Sequence, residues 1–172
     1  MLNRNLTIND FVSQEKLDRV KKPIHEANGL PNEFYTNNEF RLFERKKLFE
    51  DKWVVVGVTS SIPNPGDAKP FDLQGIPLII LRDKNSQINV FHNVCSHRGY
   101  KILQKSCNIK TILRCPYHSW SYDLGGKLIA TPHIGGMNKN ETEGCDKAKN
   151  NLKEVRSHVW LDMIVVNISG NA

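Results

Sequence analysis

Two short segments of this 172-residue chain carry residue types that could bind metal: Cys95-Ser96-His97 and Cys115-Pro116-Tyr117-His118, separated by residues 98–114. Each pairs a soft thiolate with an imidazole. Two thiolates and two imidazoles suit a [2Fe–2S] cluster in which one iron takes both cysteines and the other takes both histidines. The same set suits a structural Zn²⁺ with Cys₂His₂ ligation, and the spacing alone does not separate the two. If iron is held, the residue types set the chemistry. All-cysteine ligation gives a low potential, and replacing two thiolates by neutral imidazoles raises it into a range of roughly −150 to +300 mV. The oxidised cluster would be formally uncharged and the reduced one would carry one negative charge. Ring nitrogens that do not bind iron can change protonation on reduction, so the potential is expected to fall as pH rises through the histidine pKa values.

Hooks of this kind need rigid elements on either side. Trp53-Val54-Val55-Val56-Gly57-Val58 is a β-branched run, and Pro63, Pro65 and Gly66 make a loop. Gly75 leads into Ile76-Pro77-Leu78-Ile79-Ile80-Leu81, and Asp83-Lys84-Asn85-Ser86 turns into Gln87-Ile88-Asn89-Val90-Phe91. Short strands at this spacing predict an antiparallel meander or partial barrel. The first hook follows one strand directly, and Ile112-Leu113-Arg114 delivers the second. Tyr122 through Leu128 reads as a hairpin turning on Gly125-Gly126, residues 131–153 as loop, and Val159 to Ile168 as a final strand. Upstream, residues 1–35 read as an N-terminal arm with one short helix whose apolar points are Phe11, Val12, Leu17 and Val20, ending at the Asn28-Gly29 turn. Thr36-Asn37-Asn38-Glu39 has the form of a capping box, predicting a helix from Thr36 to about Asp51. The predicted fold is mainly β with an N-terminal helical segment, and residues 36–172 form the metal-binding domain.

Composition narrows the class further. The length suffices for one domain with a buried core, and a charged fraction of 24% is that of a folded protein. No apolar run is long enough to span a bilayer, and the first ten residues contain no apolar signal core, so a cytoplasmic protein is expected. Of four cysteines, Cys107 and Cys145 have no hook partner and are expected to be free thiols in a reducing compartment. The net charge of +6 raises the question of nucleic acid. However, Lys21-Lys22, Arg45-Lys46-Lys47 and Lys147, Lys149 and Lys153 are interspersed with acids, with no basic stripe among stacking aromatics. These read as solvated faces, with a basic docking surface for an acidic electron donor as a further expectation.

Phe91-His92-Asn93-Val94-Cys95-Ser96-His97-Arg98-Gly99, then Cys115-Pro116-Tyr117-His118-Ser119-Trp120, then Tyr122 through Leu128, resemble the large (α) subunit of Rieske non-haem iron ring-hydroxylating oxygenases. The resemblance extends upstream through Leu30-Pro31, Phe34-Tyr35 and Ile62-Pro63 to Asp67, covering about residues 30–170. It implies a Rieske iron–sulfur fold of antiparallel sheets with a cluster-binding subdomain. It also implies Cys95, His97, Cys115 and His118 as cluster and metal ligands, with Arg98 and Trp120 beside the cluster. High-potential respiratory Rieske proteins are similar, but carry a disulfide between the cluster loops where this chain has Tyr100 and Tyr117. They also place a sulfur-bonding serine where Trp120 stands. Fewer hydrogen bonds to sulfur predict a potential near the low end of the range. The family usually has glycine at position 119. A serine there would cost roughly 1 kcal/mol if the backbone needs positive φ, or alternatively would bond a cluster sulfur.

The family is one of oxidoreductases, mono- and dioxygenases. In it, an electron passes from a reductase or ferredoxin through the cluster to a mononuclear Fe(II) in a second domain of a neighbouring subunit, and α subunits commonly form trimers. That iron is held by two histidines and a carboxylate. The remaining histidines here, His25, His92, His133 and His158, lack the spacing for such a site, so no catalytic residue is expected in this chain. The chain stops where the family's catalytic domain begins, and that domain is expected to be absent. The implied function is an electron-transfer domain. The alternatives are a free-standing Rieske ferredoxin and a zinc-stabilised binding module.

Overall fold

The computed structural model describes residues 6–137, 139–140, 146 and 148–171. Among the described residues, ten strands form three antiparallel sheets. The central sheet has the order β4-β3-β2-β5, from β2 (Asp67–Leu73), β3 (Ile76–Arg82), β4 (Ile88–His92) and the two-residue β5 (Cys107–Asn108). A second sheet orders β1 (Val54–Val58), β10 (Met163–Asn167) and β9 (Arg156–Trp160) as β1-β10-β9. The third is small: β6 (Leu113–Arg114), β7 (Ser121–Tyr122) and β8 (Leu128–Ala130). The mainly β, Rieske-type architecture predicted above is the one observed.

The apolar run of β3 makes the central sheet a shared wall. Side chains alternate across a strand, so a strand buried on both faces needs no polar alternation. Leu78 and Ile80 enter one core with Val56, Val90, Ile164 and Val166. Ile79 and Leu81 enter the other with Phe91, Leu113, Trp120, Tyr122 and the two hook cysteines. The two hook loops are thereby built onto the second core. The β7–β8 turn is fastened to the same wall: Gly126 has φ 78°, and a Cβ there would lie 2.5 Å from the Phe91 ring. The predicted glycine turn thus serves both the turn conformation and a close approach.

Three expectations change. The stretch read as one strand from Val159 to Ile168 is a hairpin, β9 and β10, turning at Leu161 (φ 55°) and Asp162. The Asp162 side chain makes the turn visible: it accepts from the Ser60 hydroxyl at 2.9 Å and from the Ser60 N–H at 3.2 Å. The helix cap is Asn37, whose side chain accepts from the N–H groups of Glu39 and Phe40 (2.8 and 3.1 Å). Thr36 instead ends a preceding turn, α2 (Glu33–Thr36), and its hydroxyl donates to the Asn32 carbonyl. The helix then runs as α3 (Asn38–Glu44) and closes in a π-helical turn over Arg45–Glu50. Strand β2 forms although Pro70 interrupts its pattern. Its β5 partner reaches only Asp67 and Ala68, so the missing N–H of Pro70 leaves no bond unmade on that edge.

The arm's short helix is α1 (Gln14–Val20), capped by Ser13 and ended well before the Asn28-Gly29 turn. Phe11 and Phe34 lie against Phe40 of α3, with ring centroids 5.5 and 4.5 Å apart.

Candidate metal centre

The two hooks share one backbone design. In the first, the Cys95 N–H donates to the carbonyl of Tyr100, and the Cys95 carbonyl accepts from the N–H of Gly99 (both 2.9 Å). In the second, the Cys115 N–H donates to the carbonyl of Trp120 (2.8 Å), and its carbonyl accepts from the N–H of Ser119 (3.0 Å). Gly99 and Ser119, four residues after each cysteine, both have positive φ, 69° and 59°. The left-handed residue turns the chain back so that the residue five positions after each cysteine meets the cysteine backbone. The position of Ser119 has the positive φ at which serine is strained, and its N–H is used by Cys115.

Each hook is anchored from outside. The Asn93 side chain is fully buried and bonds both backbone groups of Leu103: its amide donates to the carbonyl (2.6 Å) and its oxygen accepts the N–H (2.8 Å). This closes the base of the loop that carries Cys95 and His97. The Asn93 N–H itself donates to Pro77 of β3 (2.8 Å), and the Ser96 hydroxyl to the Asn151 carbonyl (3.1 Å). The second hook emerges from the β6–β7 ladder, in which Arg114 faces Ser121.

The geometry brings all four predicted side chains to one end of the molecule, in two pairs. Cys95 and Cys115 are both 2% exposed and their thiols are mutual neighbours. Burial pushes the Cys115 thiol up, and the backbone N–H groups of Tyr117 and His118 act against that. His97 and His118 form the second pair, with ring centroids 4.9 Å apart. Partial burial lowers the His97 pKa, assisted by His118 and Arg98. The indole of Trp120 stacks on His97 (4.7 Å, 8°), and Tyr117 lies over His118 (3.8 Å). Tyr100 and Tyr117, where the respiratory proteins carry their disulfide, meet at 5.4 Å. Among the described residues there is no disulfide, and Cys107 is exposed; Cys145 lies outside them.

Nothing local in the sequence marks Tyr122 as a neighbour of the hooks. Its side chain is fully buried, and its phenolic oxygen lies 3.3 Å from Cys95 Sγ and 3.1 Å from the Ser96 nitrogen. The Ser96 N–H can only donate, so the phenolic proton is left for the sulfur. Burial, then the Cys95 sulfur, pushes the phenol well above its usual range, and it stays protonated. A donor to sulfur therefore exists, two residues after the position where the respiratory pattern has its serine.

The donor set fits a two-metal cluster. His118 Nδ1 is buried and has no hydrogen-bond partner; unprotonated, its lone pair is an unmet acceptor that a metal would satisfy. Two sulfurs on one side and two imidazoles on the other match two adjacent metal ions better than one tetrahedral Zn²⁺. His25, His133 and His158 do not join this group, and His92 is held in β4.

Residues 52–141 match the family model of the Rieske [2Fe-2S] domain, and the chain belongs to that family. Its relatives are oxygenase subunits of mono- and dioxygenases. The chain is 29% identical over 142 residues to the carnitine monooxygenase oxygenase subunit of Acinetobacter baumannii, covering 83% of this chain and 37% of the relative. It is 30% identical to the chloroplastic choline monooxygenase of Arabidopsis thaliana, covering 87% and 34%. Among solved structures, the quaternary ammonium Rieske monooxygenase CntA bound to gamma-butyrobetaine superposes with a TM-score of 0.76 at 28% identity, over 85% of this chain and 40% of that one. Naphthalene 1,2-dioxygenase from Rhodococcus sp. gives 0.74 at 26% identity, over 93% and 37%. The chain thus spans well under half the length of these relatives. No helix among the described residues is long and apolar enough to cross a membrane.

Proposed function

We propose that this chain is the Rieske electron-transfer domain, residues 36–172 with an N-terminal arm over 1–35, of an oxygenase α subunit. In this reading Cys95 and Cys115 hold one iron of a [2Fe–2S] cluster, and His97 and His118 hold the other. The bound cluster supplies one-electron transfer. The protein's residues do the rest. The buried cysteines keep sulfur out of water, the two left-handed turns fix the loop spacing, and Trp120 and Tyr117 hold the imidazole planes. The two histidines sit at the half-exposed side, where a partner can approach.

The proposed donor is a reductase or ferredoxin. The acceptor is a mononuclear iron in a catalytic domain, and the structure of a similar quaternary ammonium Rieske monooxygenase gives insight into inter-subunit electron transfer. A trimer and a cytoplasmic setting complete the proposal. The relatives named for carnitine and choline act on quaternary ammonium compounds; substrate choice is assigned to the catalytic domain. The observation that carries the reading is the inward, partnerless Nδ1 of His118 beside a paired thiol site. Anaerobic expression with iron tests it: iron and acid-labile sulfide should be found in equal amounts with visible charge-transfer absorption, and a colourless zinc-loaded protein would refute it. His118→Cys should retain a cluster and lower its potential, since thiolate adds negative charge; a higher potential would show the ligand assignment to be wrong.

A further inference from the structure

Among the described residues, three buried side-chain polar atoms have no hydrogen-bond partner: His118 Nδ1, Trp120 Nε1 and Asn167 Nδ2. Asn167 lies in β10, in a different sheet from the hooks. The other two belong to one hook and stand two residues apart. A metal accounts for His118, whose lone pair is an acceptor. It does not account for Trp120, because an indole nitrogen carries a proton and can only donate. A buried tryptophan N–H ordinarily finds an acceptor, and one sealed from water without any is costly.

Trp120 is 4% exposed and its Nε1 is buried, so the acceptor has to lie within the chain's own envelope and cannot come from a docked partner. The surroundings of Trp120 are the hooks. Its indole stacks on His97 (4.7 Å, 8°), its backbone carbonyl accepts the Cys115 N–H (2.8 Å), and its side chain shares one core with Cys95 and Cys115. An indole N–H lies in the ring plane. With the two planes 8° apart, that bond runs alongside the imidazole and not into its face, so the His97 ring does not accept it. No other group of the chain accepts it either. What this corner of the molecule calls for is an acceptor with no proton of its own. The inorganic sulfide of a [2Fe–2S] cluster is such an acceptor, and hydrogen bonds to the sulfurs help to set the reduction potential.

We propose that the Trp120 indole N–H donates to an inorganic sulfide of the cluster, so that Trp120 binds the cluster and sets its potential in addition to holding His97. This rests on the reading of the four hook side chains as the cluster's ligands. Tyr122 then serves a cysteine sulfur and Trp120 a bridging one. The indole supplies at position 120 the sulfur bond that the absent serine leaves open. Reduction adds negative charge to the acceptor, so the bond is stronger in the reduced state and raises the potential.

The test uses the iron-loaded full chain with Trp53→Phe and Trp160→Phe, both exposed positions, which leaves Trp120 as the single tryptophan. Growth of a tryptophan auxotroph on 3-benzothienylalanine replaces the indole N–H by sulfur in a ring of nearly the same shape and keeps the stack. Protein-film voltammetry should then show the reduction equilibrium constant falling about fivefold, which is ~40 mV for one electron. 5-Fluorotryptophan, a stronger N–H donor of the same shape, should shift the potential the other way. Trp120→Phe keeps a ring against His97 without an analogue and should lower the potential as the benzothienyl ring does. In reduced protein carrying indole-¹⁵N tryptophan, pulsed electron–nuclear spectroscopy should detect the ¹⁵N and its exchangeable proton, and both signals should vanish with benzothienylalanine. Stacking alone, or an N–H held by a buried water, would leave the potential within error and show no such coupling. Either result, or a potential that rises when the N–H is removed, would overturn the proposal. Iron and sulfide measured in each sample separate the two failures: a loaded chain whose potential ignores the N–H refutes the Trp120 bond alone, whereas an iron-free parent chain refutes the cluster reading.

Discussion

Replacing Tyr122 by Phe removes one hydroxyl and leaves the buried ring in place. The phenolic oxygen lies 3.3 Å from Cys95 Sγ and accepts from the Ser96 N–H, and a cluster-bound thiolate has no proton of its own, so the phenol would donate to it. A donor to sulfur stabilises whichever redox state carries more negative charge, and that is the reduced state. A hydrogen bond to a charged acceptor contributes about 1 kcal/mol more than one to a neutral acceptor. For one electron, 59 mV corresponds to a factor of ten, so the loss lowers the potential by ~40 mV. The same substitution leaves the Ser96 N–H without its partner and should cost about 1 kcal/mol in unfolding free energy. Protein-film voltammetry of the iron-loaded variant reads the first effect and urea unfolding the second. A folded, loaded variant whose potential is unchanged or raised would show that the phenol does not donate to the cluster's sulfur ligand.

Asn93→Leu should destabilise the fold by about 2–4 kcal/mol, since it strands both backbone groups of Leu103 in a buried loop base, and cluster loss should accelerate; a urea midpoint within error of the parent would refute the clamp. Ser119→Gly should stabilise by roughly 1 kcal/mol, because φ 59° is free for glycine and strained for serine, and the backbone bonds to Cys115 and Ser121 remain. His92 has its pKa lowered by burial first and by Lys153 second. The unfolded chain then takes up this proton before the folded one. Stability should be full above the unfolded value of about 6.5 and decline as pH falls towards the folded value; His92→Gln should flatten that slope in pH-resolved urea titrations.

What could be read from residues alone was what local chemistry encodes. Residue types and their spacing marked the candidate metal site. β-branched runs marked β1, β3 and β4, and the glycine pair after Tyr122 marked the β7–β8 turn, because turn dihedrals and strand patterns are properties of a few adjacent residues. The positive φ of Ser119 was legible only as a condition, through the family's glycine at that position. Tertiary structure decided the rest. Leu161 and Asp162 break an apolar run into two strands because Asp162 finds its partners about a hundred residues away, at Thr59 and Ser60. Pro70 sits in β2 only because β5 is too short to need its N–H. The bond from Tyr122 to Cys95, and the closure of the first hook by Asn93, join residues whose separation in sequence carries no local signal. Pairing of thiol with thiol and imidazole with imidazole likewise follows from two loops folding against each other on one shared wall. Sequence spacing constrains distance along the chain, while ligand convergence is a matter of distance through space.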